Sequence, residues 1–309
     1  MDKDDSIFIA GHRGLAGSAI LRKLTTEGFT RLLTRTRAEL DLTNRSAVAE
    51  FFEREKPAIV VLAAARVGGI KANIDEPVEF LLENLQIQNN VIHAAHQTGA
   101  RKLLFLGSSC IYPKLAPQPI PESALLGGPL EPTNEAYAIA KIAGIKLCQA
   151  YDREYGTNFI SAMPTNLYGP NDNFDLETSH VLAALLRKAH EAKMSGAREI
   201  VVWGSGTPRR EFLHVEDLAS ACLFLLQNYD SPEIVNIGAG ADLTIRELAE
   251  LICEVVGFDG GLAWDATRPD GTPRKLLDIS KITSLGWKAR IPLREGLART
   301  YDWFKAQQR

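Results

Sequence analysis

Four apolar residues, Ile7–Ala10, run directly into the spacing G-x-x-G-x-x-G at Gly11-His12-Arg13-Gly14-Leu15-Ala16-Gly17, and the last of these residues open a helix-compatible stretch, Ala16–Glu27. A short turn between a buried strand and a helix puts the unpaired N–H groups of the helix start beside the strand end, which makes an anion site. Glycines there allow the tight turn, the approach of backbone to a pyrophosphate and the packing of helix on strand. Gly11, His12, Arg13, Gly14, Leu15, Ala16 and Gly17 are therefore expected to cradle the phosphates of a dinucleotide.

The same rhythm continues along the first half. Strand-like Leu32–Thr34, Ile59–Ala63, Leu103–Gly107 and Phe159–Met163 alternate with helix-like Ser46–Lys56, Val78–Thr98 and Glu135–Tyr155. Strands separated by helices indicate βαβ units, and the unbroken apolar runs Val60–Ala63 and Leu103–Leu106 suit strands covered on both faces. The reading is an α/β fold: a Rossmann-type, doubly wound parallel sheet. After Pro164 the pattern changes to an Asn/Gly/Asp-rich loop, a helix-like Ser179–Lys193, short strands near Ile200–Trp203 and Ile234–Ile237, and helices at Thr244–Val256 and Leu293–Lys305. This implies a smaller C-terminal α/β substrate domain. The expected division is 1–165 plus about 212–237 for the dinucleotide domain, and 166–211 plus 238–309 for the substrate domain. The proline-rich Pro113–Pro132 reads as a long loop, which in a compact domain tends to be functional.

Beyond the second strand, an acidic residue would mark NAD, by bonding the ribose 2′-OH. Thr34-Arg35-Thr36-Arg37 offers guanidinium groups suited to a 2′-phosphate instead, so NADP (NADPH) is the expected cofactor, with Arg37 as its reader. Asp41 and Leu42 fall where the adenine edge would lie.

Tyr137 and Lys141 stand one helical turn apart on one face. A lysine cation held near a phenol favours the phenolate and makes the tyrosine a usable acid or base. Ser108 lies just past the fourth strand, at the carboxyl end of a parallel sheet where ligands bind, and can reach the same carbonyl oxygen as Tyr137.

These motifs, with Ser108-Ser109-Cys110-Ile111-Tyr112-Pro113-Lys114, Pro164-Thr165-Asn166-Leu167-Tyr168-Gly169-Pro170 and Asp270-Gly271-Thr272-Pro273-Arg274-Lys275, span nearly the whole chain in order. Together they resemble the extended short-chain dehydrogenases/reductases that act on nucleotide sugars. The pattern is most similar to that of bifunctional enzymes, which epimerise a GDP-linked 4-keto-6-deoxy sugar at C3 and C5 and reduce its C4 ketone. The resemblance implies that Ser108, Tyr137 and Lys141 serve reduction while Cys110 and His180 act as base and acid for epimerisation. It implies further cofactor contacts from Leu106, Gly107, Ser108, Lys141, Pro164, Thr165, Asn166, Leu167 and His180, and contacts to the GDP-sugar from Lys188, Trp203, Arg210 and Asp270. On spacing alone, Cys110 is more often a small buried apolar residue and His180 a loop or helix-end residue, and Arg210 equally forms a surface network with Arg209 and Glu211. The relatives that eliminate water carry a carboxylate where Cys110-Ile111 stands, so elimination is disfavoured. Two other readings remain: another epimerase or reductase of the same superfamily, and a non-catalytic NADP sensor.

Composition excludes other classes. Hydrophobic residues are 45% and charged residues 24%, which suits a folded domain, and a net charge of −3 gives no basic footprint for nucleic acid. The longest apolar run, Ala58–Ala65, is far short of the ~20 residues that cross a bilayer, and no signal-peptide pattern opens the chain, so no membrane association and a cytoplasmic location are expected. Cys148, Cys222 and Cys253 lie in apolar helical stretches and read as core. His93 and His96, three apart on a helix, lack a third ligand at suitable spacing, so no metal is expected. The resemblance also implies a homodimer paired through Val78–Thr98 and Glu135–Tyr155.

Overall fold

The computed structural model describes residues 1–268 and 270–308. The first half runs β1 (Ile7–Ala10), α1 (Leu15–Thr26), β2 (Leu32–Leu33), α2 (Arg45–Glu55), β3 (Ile59–Leu62), α3 (Ile70–Asp75), α4 (Pro77–Gln97), β4 (Lys102–Leu106), α5 (Glu135–Tyr155) and β5 (Phe159–Pro164). The second half runs β6 (Asn166–Tyr168), α6 (Val181–Ser195), β7 (Glu199–Trp203), β8 (Arg209–His214), α7 (Val215–Asn228), β9 (Val235–Ile237), β10 (Asp242–Thr244), α8 (Ile245–Val256), β11 (Gly261–Asp265), β12 (Arg274–Lys275), α9 (Ser280–Leu285) and α10 (Leu293–Gln307).

Six parallel strands form the main sheet in the order β2-β1-β3-β4-β5-β9. Both faces are covered, and the two-residue period of a strand sorts its side chains between them. Ile7 and Ile9 pack on one side with α1 and α7 through Ala19, Ile20, Leu218 and Cys222. Phe8 and Ala10 face the other side, where Phe51, Phe52, Val91, Ile92 and Ile145 from α2, α4 and α5 meet them. This is why the strands read as continuous apolar runs. Strand order reverses between β1 and β3, so the crevice above their carboxyl ends is the place for a ligand.

The second half builds its own core from α6, α8 and α10, with Leu185, Leu186, Leu248, Ile252, Leu297 and Phe304 at its centre. Strand β8 organises it, pairing in parallel with β6 and β12 and antiparallel with β10, while β7 and β11 form a separate parallel pair. Phe212–His214 are the part of β8 that pairs with β6, Leu213 already packs into the core of the larger unit, and α7 and β9 follow it there. The short α3, β6, β8, β10, β11, β12 and α9 have no counterpart in the sequence reading. Two to six residues are too few for periodicity to show, and β8 opens with the polar Arg209-Arg210-Glu211.

The Pro113–Pro132 segment is tied down. Ile120 N–H donates to the Leu276 carbonyl at 2.8 Å and the Ile120 carbonyl accepts from Asp278 N–H at 2.9 Å. Asn236, fully buried, donates from Nδ2 to the carbonyls of Ile120 (3.0 Å) and Asp278 (3.1 Å) and accepts from the Tyr112 hydroxyl at 2.5 Å. Glu211 on β8, also 0% exposed, accepts from Gly240 N–H at 2.7 Å and Leu277 N–H at 3.1 Å, while its own carbonyl accepts from Asn166 Nδ2 at 2.8 Å.

Replacing Glu211 by Ala strands two N–H donors in a buried site, and a loss of about 2–5 kcal/mol of unfolding free energy is expected. Urea denaturation checks it; a midpoint equal to that of the parent would show that water replaces the carboxylate without cost.

Candidate active site

At the β1–α1 turn two glycines answer to the chain itself. Gly11 has φ +87°, and a Cβ there would lie 2.7 Å from Ala64 N; a Cβ on Gly17 would lie 2.2 Å from the Gly11 carbonyl oxygen. Gly14 is different: its Cβ would meet nothing closer than that oxygen at 3.5 Å. The missing side chain therefore leaves bare backbone toward the crevice, and α1 starts at Gly14 with no side-chain cap and no acid in its first turn. Half-buried His12 is held below the usual imidazole range, by burial and then by Arg13, which is itself exposed. This surface fits a pyrophosphate.

The two arginines past β2 separate. Arg35 is spent: it bonds Glu55 at 2.8 Å and the Thr34 carbonyl at 2.7 Å and lies over the Phe51 ring. Arg37 keeps a side chain 71% exposed, with Glu83 at 3.8 Å. Asp41 uses Oδ1 to accept from Thr43 N–H (3.0 Å) and its hydroxyl (2.8 Å), which holds its carboxyl below the usual range, and the Leu42 carbonyl accepts from Asn90.

At the end of β4, buried Gly107 packs so closely that a Cβ would sit 2.4 Å from Met163 Sδ. The chain then enters a 3-10 turn, Ser109–Ile111, capped by Ser108, whose Oγ accepts from Cys110 N–H at 3.2 Å. This turn presents Ser108 and Cys110 together, both partly exposed. Lys141 on α5 is 3% exposed and donates from Nζ to the Leu106 carbonyl at 2.8 Å. Its cation lies 5.9 Å from the centre of the Tyr137 ring. Lys141 does not pull the phenol down in this arrangement. Burial lowers Lys141 itself to about 7, and burial, with Cys110 adding and a Ser108 hydrogen bond opposing, raises the Tyr137 phenol above its ordinary value. Tyr137 thus carries its proton across the neutral range, as a proton donor requires.

Two N–H donors converge on Cys110 Sγ: Asn134 Nδ2 at 3.3 Å and Lys275 Nζ at 3.6 Å. His180 begins α6 without using its ring as a cap, and desolvation and then the Lys275 charge hold its pKa below the usual imidazole value. Lys275 therefore stands at the thiol, and its charge is felt at the imidazole. Arg210 lies opposite Lys275 in the β12–β8 pairing, and its guanidinium donates to the carbonyls of Arg209 (2.9 Å) and Asp270 (3.2 Å). Arg209, by contrast, is paired with Asp242 at 3.0 Å, and Glu211 is buried, so the Arg209–Glu211 surface network does not form.

Farther along this wall, half-exposed Trp203 has Lys188 5.2 Å and Arg268 4.6 Å from its ring centre, while Lys188 Nζ donates to the Val201 carbonyl. Asp270 accepts from Ser205 N–H and hydroxyl, both at 2.8 Å, and so holds the loop that follows Trp203. Pro164 ends β5; Thr165 Oγ1 and Asn166 Nδ2 both donate to the Glu211 carbonyl, and Leu167 continues β6 at the floor of the crevice. Asn134, Lys275 and Arg268 were missed as functional candidates. Lys275 lay within a recognised motif, but only the register of β12 on β8, Lys275 opposite Arg210, turns it toward the cysteine. His93 bonds the Tyr151 hydroxyl at 2.7 Å and His96 stacks on Tyr151, which accounts for both imidazoles. Cys148, Cys222 and Cys253 are buried and free.

Residues 7–238 match the NAD dependent epimerase/dehydratase family. The chain is 66% identical to GDP-L-fucose synthase 1 of Arabidopsis thaliana, over 98% of its own length and 94% of that protein, and 56% identical to GDP-L-fucose synthase of Escherichia coli (strain K12), over 98% and 97%. Among solved structures, a GDP-6-OMe-4-keto-L-xylo-heptose reductase from C. jejuni superposes with a TM-score of 0.95 at 40% identity, covering 99% of both chains. A GDP-L-fucose synthetase from Naegleria fowleri bound to NADP gives 0.92 at 30%, covering 100% of this chain and 96% of that one. Similarity of this degree along the full length of both chains shows that the chain belongs to the NAD dependent epimerase/dehydratase family, among the GDP-L-fucose synthases.

Proposed function

We propose that this chain converts GDP-4-keto-6-deoxy-D-mannose to GDP-L-fucose by inverting C3 and C5 and then reducing the C4 ketone with NADPH. The observation that supports the proposal is the thiol of Cys110, held by Asn134 and Lys275 on the same turn that carries Ser108: a reduction alone needs no thiol there. Ser108 and Tyr137 donate to the C4 carbonyl oxygen and stabilise the enolate formed when Cys110 takes the C3 or C5 proton. His180, whose pKa is held below the usual imidazole value, returns a proton on the opposite face from its imidazolium form. Tyr137, kept protonated by burial, then protonates the C4 alkoxide, and Lys141 holds its place against Leu106. NADPH, when bound, supplies the hydride. The residues that would hold it are the Gly11–Gly17 turn for the pyrophosphate, Arg37 for the 2′-phosphate and Asp41–Leu42 for the adenine, with Leu106, Gly107, Lys141 and Pro164–Leu167 toward the nicotinamide. Lys188, Arg210 and Trp203 face the GDP moiety, and Asp270 fixes their loop.

The main sheet with α7 and β9 is the cofactor half, and the rest binds the sugar. Val78 and Leu82 on α4 and Ile139 on α5 are 65%, 51% and 45% exposed, an apolar face that fits a homodimer through these two helices. Among the described residues no helix is long and apolar enough to cross a membrane. Free cysteines and NADPH chemistry suit the cytoplasm.

The proposal is tested by supplying the keto sugar and NADPH in deuterated water and reading the sugar by NMR; GDP-L-fucose with deuterium at C3 and C5 is expected, and unlabelled, uninverted product would remove Cys110 and His180 from the chemistry. Tyr137→Phe should cut NADPH oxidation by about 10²–10⁴-fold while the ketone still takes up deuterium; Cys110→Ser should do the reverse and suppress uptake. Removing the charge in Lys275→Met should raise the His180 pKa, because a nearby cation disfavours imidazolium; an NMR titration of the ring that does not move would place Lys275 too far away to matter. Sedimentation giving a monomer at micromolar concentration would dispose of the dimer.

A further inference from the structure

Arg37 is not alone at the rim of the crevice. Its neighbour Glu83, on α4, is only 23% exposed in its side chain and is anchored from behind: Oε1 accepts from Arg66 NH1 at 3.0 Å, while Oε2 faces Arg37 at 3.8 Å. Arg66 is in turn fixed. Its other terminal nitrogen bonds Glu76, its N–H donates to Asn84 Oδ1 at 2.9 Å, its carbonyl accepts from Asn84 Nδ2 at 3.0 Å, and its guanidinium lies over the Phe80 ring. The carboxylate thus cannot swing away when an anion arrives at Arg37.

We propose that Glu83 is a specificity-determining residue that narrows the preference for NADPH over NADH by competing with the 2′-phosphate for Arg37. The inference rests on the reading of Arg37 as the 2′-phosphate ligand. When the ribose carries only a hydroxyl, Arg37 keeps its partner and nothing is lost. When it carries a phosphate, Arg37 must turn to it, and the phosphate comes to rest within a few ångströms of a fixed negative charge that is too close for salt to screen fully. The carboxylate therefore acts against NADPH and is neutral toward NADH.

The test compares NADPH and NADH kinetics in the parent, Glu83→Gln, Arg37→Met and the double variant, with GDP-4-keto-6-deoxy-D-mannose as acceptor. Glutamine keeps an acceptor for Arg66 and removes only the charge. Glu83→Gln is expected to raise the NADPH/NADH ratio of kcat/KM by about three- to tenfold, through a lower KM for NADPH with NADH parameters unchanged. Arg37→Met should lower the same ratio tenfold or more. If Arg37→Met lowers it and Glu83→Gln leaves it unchanged or lowers it, the competition is overturned and the reading of Arg37 stands. If Glu83→Gln weakens both cofactors alike, its role is to hold the rim in shape, and the proposal also fails. If Arg37→Met leaves the ratio unchanged, the reading of Arg37 falls and takes the proposal with it.

Discussion

The buried carboxylate of Glu211 is the junction on which the two halves meet. It belongs to β8, the organising strand of the smaller sheet, yet its oxygens collect N–H groups from the turn after β9 and from Leu277, and its carbonyl collects Thr165 and Asn166 where the chain leaves the main sheet. A carboxylate without water is costly unless each lone pair is used. Burial raises its pKa and the N–H donors pull against that shift. Because the two strand systems share this point, the floor of the crevice has a fixed geometry, and the residues that rise from it on either side are registered against one another.

Desolvation does much of the chemical tuning above that floor. The cleft pushes Tyr137 toward its protonated form and Lys141 toward its neutral form, each by disfavouring charge. The cations that remain are Lys275 at the thiol, Arg210 opposite it across the β12–β8 pairing, and the exposed Arg37 and Arg13. The aromatic stack of Trp203 with Lys188 and Arg268 keeps two cations near the outer end of the cleft while limiting the repulsion between them through the ring's negative faces.

Much of this was legible in the chain. The glycine spacing, the apolar strands and the Tyr137–Lys141 turn follow local rules, so Ile7–Ala10 and Glu135–Tyr155 could be bounded to the residue. What the sequence could not convey depends on pairing across long separations. Nothing around Lys275 or Asn134 announces a cysteine 165 or 24 residues away. Arg35 and Arg37 look equivalent in the sequence, and only the position of Glu55 on α2 spends one and frees the other. Likewise, the spacing of Tyr137 and Lys141 placed them together correctly but could not reveal that the amine is turned to the Leu106 carbonyl.

Ser108 and Cys110 ride on one 3-10 turn, two residues apart, and this has a consequence for the order of events. On the proposed mechanism, the group that grips the ketone and the group that removes the neighbouring protons share one rigid frame, so the sugar would meet both chemistries without leaving its place. Yet reducing the ketone destroys the acidity on which inversion depends, and a site that holds both operations at once has no spatial means of keeping the second from overtaking the first. The purity of the product must then be set by a race: proton exchange at two carbons has to outpace hydride delivery at the third, and every change that speeds reduction without speeding exchange will show up as sugars of the wrong configuration.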